Sequence, residues 1–396
     1  MKTMKISMTF FSTIILIVAS ISTATVAEIT PNEVRESSFN KSISPTPPII
    51  HAQVERQINQ ANWTPKRQVD AAINTYKNKF NVPGMSVAIA QNGKIVYAAG
   101  FGFADIAKQQ KVDSGTVFRL ASVSKPITMA LTMRQVEKGL SLDKPARFYV
   151  PELPAHHTYT VAHLLKRQSG IRHYRGSKAK DCEVPNNPNW KDSSNTQYST
   201  ATAATKLFSQ DPLMFKPGTK PCYSTHAYTV LGAVLEGSSK KSFTGLVNQE
   251  LTQGLNLSSL RPEFINQANS KRANIYQDKN DANDKNIPAN RDNLSWKYAG
   301  GGFESSSVDL AKFGMKVIDG SFLSPQGRQQ LGWNSVFTYS GAQRGAESHI
   351  RLEFSKGIAI AVLSNQRINL DEDDPNYSQE GVGKLATTIS NIINQK

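Results

Sequence analysis

Ser122 and Lys125 stand three residues apart in the stretch Phe118-Arg-Leu-Ala-Ser-Val-Ser-Lys125-Pro126. Residues at that spacing share one face of a helix, so a hydroxyl and an amine can touch there. Proline is tolerated only in a first turn, so Pro126 predicts a helix that starts close by. Ile127, Met129, Ala130, Leu131, Met133 and Val136 continue it as an apolar helix. A hydroxyl beside an amine is the equipment of acyl transfer with lysine, in place of histidine, as the activating base. A free lysine, with a pKa of about 10.4, is a poor base near neutrality. Burial and a helix N-terminus lower that value, and the same N-terminus offers N–H groups to a developing oxyanion. A second proton-handling group is needed for the leaving group. Tyr223, in Tyr223-Ser-Thr225, is the candidate; a core tyrosine bonded to backbone is the alternative.

Spacing alone does not single out this pair. Ser-x-x-Lys occurs five times, at Ser38/Lys41, Ser122/Lys125, Ser141/Lys144, Ser177/Lys180 and Ser238/Lys241. Only the second follows a strand-like segment and opens an apolar helix. Other templates fail. Gly84-Met-Ser86-Val-Ala88 lacks the closing glycine of a nucleophile elbow and sits within a strand pattern. His156, His157 and His163 have no acidic partners at metal-ligand spacing, so they read as packing or surface residues. Gly100-Phe-Gly102 reads as a turn, not a nucleotide loop. Neither a metal nor an organic cofactor is expected.

The elements that must position these groups are legible in the pattern. Val69, Ile73, Tyr76 and Phe80 share a helix face. Gly84–Ala90 and Lys94–Ala99 read as strands joined by an Asn92-Gly93 hairpin turn. Near the end, Gly332–Gly341, Ser348–Phe354 and Gly357–Leu363 read as strands. The last is continuously apolar and so belongs at the middle of a sheet. A helix bearing Val308, Leu310, Ala311 and Phe313 precedes them. A closing helix aligns Val382, Leu385, Ile389 and Ile392. The expected fold class is α/β (α+β): an antiparallel sheet flanked by terminal helices, with an inserted, mainly helical region. The sheet part is assigned to 61–121 and 294–396, the helical region to 122–293. Within the latter, Cys182–Ser199 and Asn266–Asn293 are polar, lack periodicity and read as surface excursions.

The 396 residues carry a net charge of +15 and are 39% hydrophobic, the composition of a soluble globular protein. Lys2 and Lys5, an apolar run from Met8 to Ile21 and small residues to Ala27 read as a secretory signal peptide over 1–27. A polar, proline-containing leader over 28–60 follows. The expected location is periplasmic or secreted, with membrane contact only through an uncleaved N-terminal segment. No zinc-finger spacing or aromatic nucleic-acid signature is present, so the basic balance points to anionic envelope polymers or lipid headgroups more than to nucleic acid. In that setting Cys182 and Cys222 can form a disulfide, two unrelated thiols being the other reading. The bond would tether the excursion after Cys182 to the loop carrying Tyr223. The basic run Lys166, Arg167, Arg172, Arg175, Lys178, Lys180 reads either as a flank of the cleft or as a solvated face.

Six ordered blocks carry a resemblance. They are Phe118–Lys125; Tyr149-Val-Pro-Glu-Leu-Pro154; His163–Tyr174; Tyr223-Ser-Thr225; Ala299–Phe303 with Asp309–Phe313; and Tyr339-Ser-Gly-Ala342. From about Val69 onward the chain resembles the serine β-lactamase and penicillin-binding-protein superfamily. It looks closest to the class C-like branch of carboxypeptidases, esterases and mitochondrial β-lactamase-like serine peptidases. The resemblance implies that Ser122 is acylated, that Lys125 is its base partner, and that Tyr223 acts as general base and acid. The backbone N–H groups of Ser122 and Ala342 would form the oxyanion hole. Thr225, Tyr339, Ser340 and Gly341 would line the substrate. Two positions depart from the family. Thr225 replaces an asparagine and lacks an amide's reach. Tyr339 replaces lysine or histidine, so one positive charge is missing. The loss favours peptidase or esterase activity over efficient β-lactam hydrolysis. Arg344, just beyond the strand triad, is one candidate for the missing charge, a solvated hairpin arginine being the other account. The expected partner is a small-molecule or peptide substrate, with cell-wall peptide as the starting guess. The alternative function is an inactive relative that binds wall fragments.

Overall fold

Two strands have side chains that alternate between small and large. On β11 (Ile358–Ser364), Ala359, Ala361 and Leu363 enter one apolar cluster, while Ile358, Ile360 and Val362 enter another. On β1 (Gly84–Gln91), Ala88 and Ala90 divide from Met85, Val87 and Ile89 in the same way. Period-two alternation therefore gives a sheet buried on both faces. The computed structural model describes residues 63–395, apart from 175–177, 180–181, 184–186, 188–189, 191–194, 280–282 and 369–380. The segments read as signal peptide and leader lie outside the described residues, as do Arg175 and Lys180 of the basic run.

In chain order, helix α1 (Lys66–Lys79) is followed by β1, β2 (Lys94–Asp105), β3 (Gln110–Lys111) and β4 (Phe118–Arg119). A 3₁₀ turn, Ala121–Val123, leads into α2 (Ser124–Val136). The helical region continues with α3 (Ala146–Tyr149), α4 (Val161–Leu165), a small β5/β6 pair (Lys178–Ala179, Cys182–Glu183), α5 (Ala201–Thr205), α6 (Thr225–Ser239) and α7 (Phe243–Val247). The chain then returns through β7 (Arg261–Pro262), α8 (Tyr298–Gly301), β8 (Phe303–Ser305), α9 (Ser307–Ile318) and α10 (Pro325–Gln330). It closes with β9 (Val336–Gln343), β10 (Ala346–Glu353), β11 and α11 (Val382–Asn394).

The main sheet runs β3-β2-β1-β11-β10-β9 with antiparallel pairings throughout. β11 lies inside it and β9 at one edge. One face packs on α1 and α11 through Val69, Ile73, Leu385 and Ile389. The other packs on α9 and the helical region. Small residues on that face allow close approach: a Cβ on Gly314 of α9 would meet Leu352 and Ala359 at 2.6 and 2.9 Å. The antiparallel sheet, the terminal helices and the mainly helical insertion agree with the expected fold class.

Three details differ from the sequence reading. Gly100–Gly102 is not a turn. β2 runs straight through it, because Gly100 pairs with Ser86 and Gly102 with Gly84 on β1. The stretch 266–293 is not a surface excursion. It buries Ala273, Ile275, Tyr276 and Lys279, and its backbone bonds to Ala104, Asn365 and Arg367. Isolated bridges of this kind leave no periodicity to read. The helical region also supplies β7 to a second sheet, β4-β8-β7, which fixes the segment entering Ser122.

Candidate active site

Strand β4 delivers the chain to Ser122, and a buried ion network fixes β4. Arg119 is fully buried and grips Glu263 with two nitrogens, at 2.8 and 2.9 Å, and Asp292 at 2.7 Å. Glu263 also takes Arg291 at 2.9 Å. The two arginines hold the Glu263 carboxyl below the usual range against the opposing effect of burial. The next residues turn sharply. Ala121 is a non-glycine residue with φ +44°, in the sparsely populated left-handed region. The Ser348 hydroxyl donates to the Leu120 carbonyl at 2.6 Å, and Leu120 N–H donates to Phe303 at 2.8 Å, so the residue entering the turn is tied down; the Ser124 hydroxyl donates to the Ala121 carbonyl at 2.7 Å.

Beyond the turn, Ser122 and Lys125 share a face as their spacing predicts. Lys125 Nζ lies 3.1 Å from Ser122 Oγ and donates to the Gly300 carbonyl at 2.5 Å. Pro126 occupies the first turn of α2. Lys125 is completely buried, and burial pulls its ammonium down to about 7. At neutral pH the amine is thus substantially unprotonated. The phenol of Tyr223 meets Ser122 Oγ at 2.7 Å, from 101 residues away. Its ring lies 4.8 Å from Lys125 Nζ. Burial raises the Tyr223 phenol, while hydrogen bonds to Ser122 and Thr225 and the charge of Arg167 pull it back. One hydroxyl, one amine and one phenol therefore converge in one cleft.

Tyr223 is placed by helix α6. Ser224 caps that helix, accepting from Ala227 N–H at 3.1 Å and donating to the Arg172 carbonyl at 2.8 Å. Thr225, the first helical residue, donates its N–H to His173 Nδ1 at 3.1 Å. The His173 ring stands edge-on to Tyr223 at 5.1 Å. On the opposite side Cys222 and Cys182 are joined by a disulfide, with Cα atoms 5.1 Å apart. This bond ties the two ends of a segment spanning 40 residues beside Tyr223.

Edge strand β9 closes the cleft. A Cβ on Gly341 would lie 2.6 Å from Ser122 N and 2.7 Å from Val123 N, so only glycine lets the strand seat on the 3₁₀ turn. Ala342 follows it on this edge, partly exposed. Tyr339 lies across from Tyr223 and Tyr228, with its phenol held far above the usual range by burial, so it carries no charge. Ser340 turns away and bonds His349 Nδ1 at 2.8 Å. Arg344 sits at the exposed tip of the β9/β10 hairpin. Its carbonyl accepts from Arg119 at 3.4 Å, while its guanidinium makes no hydrogen bond or ion pair among the described residues. Of the residues singled out from sequence, Ser122, Lys125, Tyr223, Thr225, Tyr339 and Gly341 share the cleft; the Ser340 and Arg344 side chains stand outside it.

Two participants escaped sequence reading. The Gly300 carbonyl anchors Lys125 because a Cβ at 300 would strike Thr225 Cγ2 at 2.9 Å and the Thr225 carbonyl at 3.0 Å. The triplet Gly300-Gly-Gly302 was the available signal. His173 lies in the His163–Tyr174 block, but nothing local shows that it faces Tyr223. His157, by contrast, is a packing residue, bonded to Tyr159 and to the Ser209 carbonyl, each at 2.7 Å. Among the described residues no His/Cys/Asp/Glu cluster suited to a metal occurs.

Known proteins are similar to this chain in sequence or in fold. The family model described as Beta-lactamase matches residues 69–381. The mitochondrial serine beta-lactamase-like protein LACTB of Bos taurus is 27% identical over 320 residues, covering 64% of this chain and 57% of that protein. The chain thus spans little more than half the length of that curated relative. The octameric penicillin-binding protein homologue of Pyrococcus abyssi superposes with a TM-score of 0.62 at 23% identity, covering 82% of this chain and 77% of the homologue. A class C beta-lactamase gives a TM-score of 0.64 at 18% identity, covering 84% and 97%.

Proposed function

The chain belongs to the beta-lactamase family, and on that premise we propose that it is a serine hydrolase that forms an acyl-enzyme on peptide amide or ester bonds. The observation that carries this reading is Ser122 Oγ, held 2.7 Å from a phenol and 3.1 Å from a lysine pulled down to about 7. In the proposed cycle Ser122 Oγ attacks the substrate carbonyl carbon. Its proton passes to the Lys125–Tyr223 pair. The backbone N–H groups of Ser122 and Ala342 receive the oxyanion. The C–N or C–O bond then breaks, and the leaving group takes the proton from Tyr223. Water, deprotonated by the same pair, attacks the ester and releases Ser122 with its proton restored. No step needs a metal or cofactor.

Peptidase or esterase turnover is favoured over efficient β-lactam hydrolysis, because Tyr339 is neutral where a cation would hold the substrate carboxylate. The proposed substrates are small esters and peptides with a D-Ala-like end. Export through residues 1–27, with a periplasmic or secreted location near cell-wall peptide, is part of the same proposal. The neutral Tyr339 also supports a second reading, a fold-retaining protein that binds wall fragments without turnover. Labelling separates the two. A fluorophosphonate or fluorescent penicillin is expected to label the wild-type protein and not Ser122→Ala. No labelling by either probe would sink the hydrolase reading and leave the binding one.

A further inference from the structure

The residues after Tyr223 are tied to the loop that follows α4 by two hydrogen bonds that differ in kind. Ser224 Oγ donates to the Arg172 carbonyl at 2.8 Å, and Thr225 N–H donates to His173 Nδ1 at 3.1 Å. No group in the first bond titrates. The second needs an imidazole with a lone pair on Nδ1. The loop is itself anchored. Arg172 is buried, reaches the Asp211 carboxylate with two nitrogens, each at 2.8 Å, and donates to the His173 carbonyl at 3.1 Å. The His173 backbone is therefore fixed, while its ring is partly exposed and can exchange protons with solvent.

Thr225 opens α6, so its N–H is one of the helix donors that lack an intrahelical acceptor. Thr225 is only 2% exposed, so bulk water does not replace that acceptor. With Nδ1 accepting, the ring proton of His173 lies on Nε2. A second proton, on Nδ1, would set one N–H against another and put positive charge at the positive end of the α6 dipole. The ionisable groups around the ring are Arg172, Tyr174, Tyr223 and His226, with Lys297 over the Tyr174 ring at 5.3 Å. Two of these are cations, and both oppose a charged imidazole. The same ring packs edge-on against Tyr223, centroids 5.1 Å apart, in the range of favourable aromatic pairs. One neutral imidazole thus holds both the backbone that follows Tyr223 and the face of its ring. The phenol held in this way is the one 2.7 Å from Ser122 Oγ.

We infer that His173 is a positioning residue for this reaction: its neutral imidazole, with the proton on Nε2, holds the start of α6 and the Tyr223 ring so that the phenol meets Ser122. The inference rests on the acyl-enzyme reading of Ser122. His173 acts through Thr225 and Tyr223, not on the substrate. Protonation of the ring releases Thr225 N–H and loosens the phenol.

The test pairs two substitutions, assayed on p-nitrophenyl acetate, a neutral ester. His173→Ala deletes the acceptor. His173→Asn keeps one, because its carbonyl oxygen stands near the place of Nδ1 and takes no proton. In His173→Ala kcat is expected to fall roughly 10- to 100-fold, the effect of stranding a buried donor. KM should stay within about threefold, since the lost contact is not with substrate. His173→Asn should bring kcat back to within about threefold of wild type. The kcat ratio of His173→Asn to wild type should rise about threefold or more as pH falls from about 8 to about 5.5, where an imidazole gains its second proton. That ratio cancels the decline that Lys125 imposes on both proteins. Ring-nitrogen NMR shifts of the wild type should place the proton on Nε2. An unchanged kcat in His173→Ala, an asparagine variant no better than the alanine one, a ratio flat with pH, or a ring protonated on Nδ1 would each overturn the assignment. In a wild type that a fluorophosphonate labels, these outcomes strike His173 alone. A wild type that neither labels nor turns over sinks the acyl-enzyme reading, and the role of His173 with it.

Discussion

Lys125 is poised by burial alone, and that has a direct kinetic consequence. Its folded-state value of about 7 lies well below the ordinary lysine value of 10.5. As pH falls through 7 the amine gains its proton and can no longer accept one from Ser122. The rate on a neutral ester should therefore decline about tenfold per pH unit below 7. The apparent value belongs to the Lys125–Tyr223 pair, since the two groups touch the same hydroxyl. A pH–rate profile flat from 5 to 8 would contradict this role. The same shift bears on folding. Between about 7 and 10.5 the unfolded chain holds the lysine proton that the native state has released, so this group's contribution to stability increases as pH rises across that window. Below 7 its penalty is complete. Ala121, with φ +44°, adds backbone strain at the residue before Ser122, held in place by the Ser348 bond to the Leu120 carbonyl and the Ser124 bond to its own carbonyl.

At the scale of elements, short segments do most of the positioning. β4 has two residues, yet one of them is Arg119, whose five polar contacts join β4 to 263, 292 and 344. Arg119→Ala would leave Glu263 with an unpaired share of buried charge and Asp292 without its partner. The expected loss is about 3–5 kcal/mol, measured as a shift of the urea midpoint at constant slope. A loss below about 1 kcal/mol would mean that Arg291 alone neutralises the site. Helix α6 acts from the other side, where the Ser224 cap and the Cys182–Cys222 disulfide fix the residues flanking Tyr223. Glycine at 341 lets β9 rest directly on the Ser122 turn. The groups of the candidate site thus ride on a turn, a helix start and a strand edge, each clamped by contacts distant in sequence.

At the scale of the molecule, the sheet separates a supporting layer from a working one. Ile389 of α11 is fully buried in the layer against α1, while Leu120, Val123 and Ile127 belong to the cluster on the other face. Ile389→Ala should cost about 2–5 kcal/mol in denaturant unfolding while KM for a small ester stays within twofold. A large change in KM would show that the two layers are coupled through the sheet. The terminal helices, the central position of β11 and the Asn92-Gly93 hairpin were legible because each is a local pattern: burial recurring every 3.6 or 2 residues, or a turn needing positive φ. Ser122, Lys125 and Tyr223 were legible as residue types at telling places. The strand through Gly100–Gly102 was misread because glycines signal turns unless a neighbouring strand holds them. The buried path of 266–293 was missed because single backbone bridges imprint no period. By itself, the sequence determined the elements and the chemical inventory, since these follow from side-chain type and local spacing. Tertiary structure alone decided that the Gly300 carbonyl, 175 residues away, would accept a hydrogen bond from the lysine, and that the Tyr223 phenol, 101 residues away, would meet Ser122. The reason is that folding sets distances between groups whose separation along the chain says nothing about their separation in space.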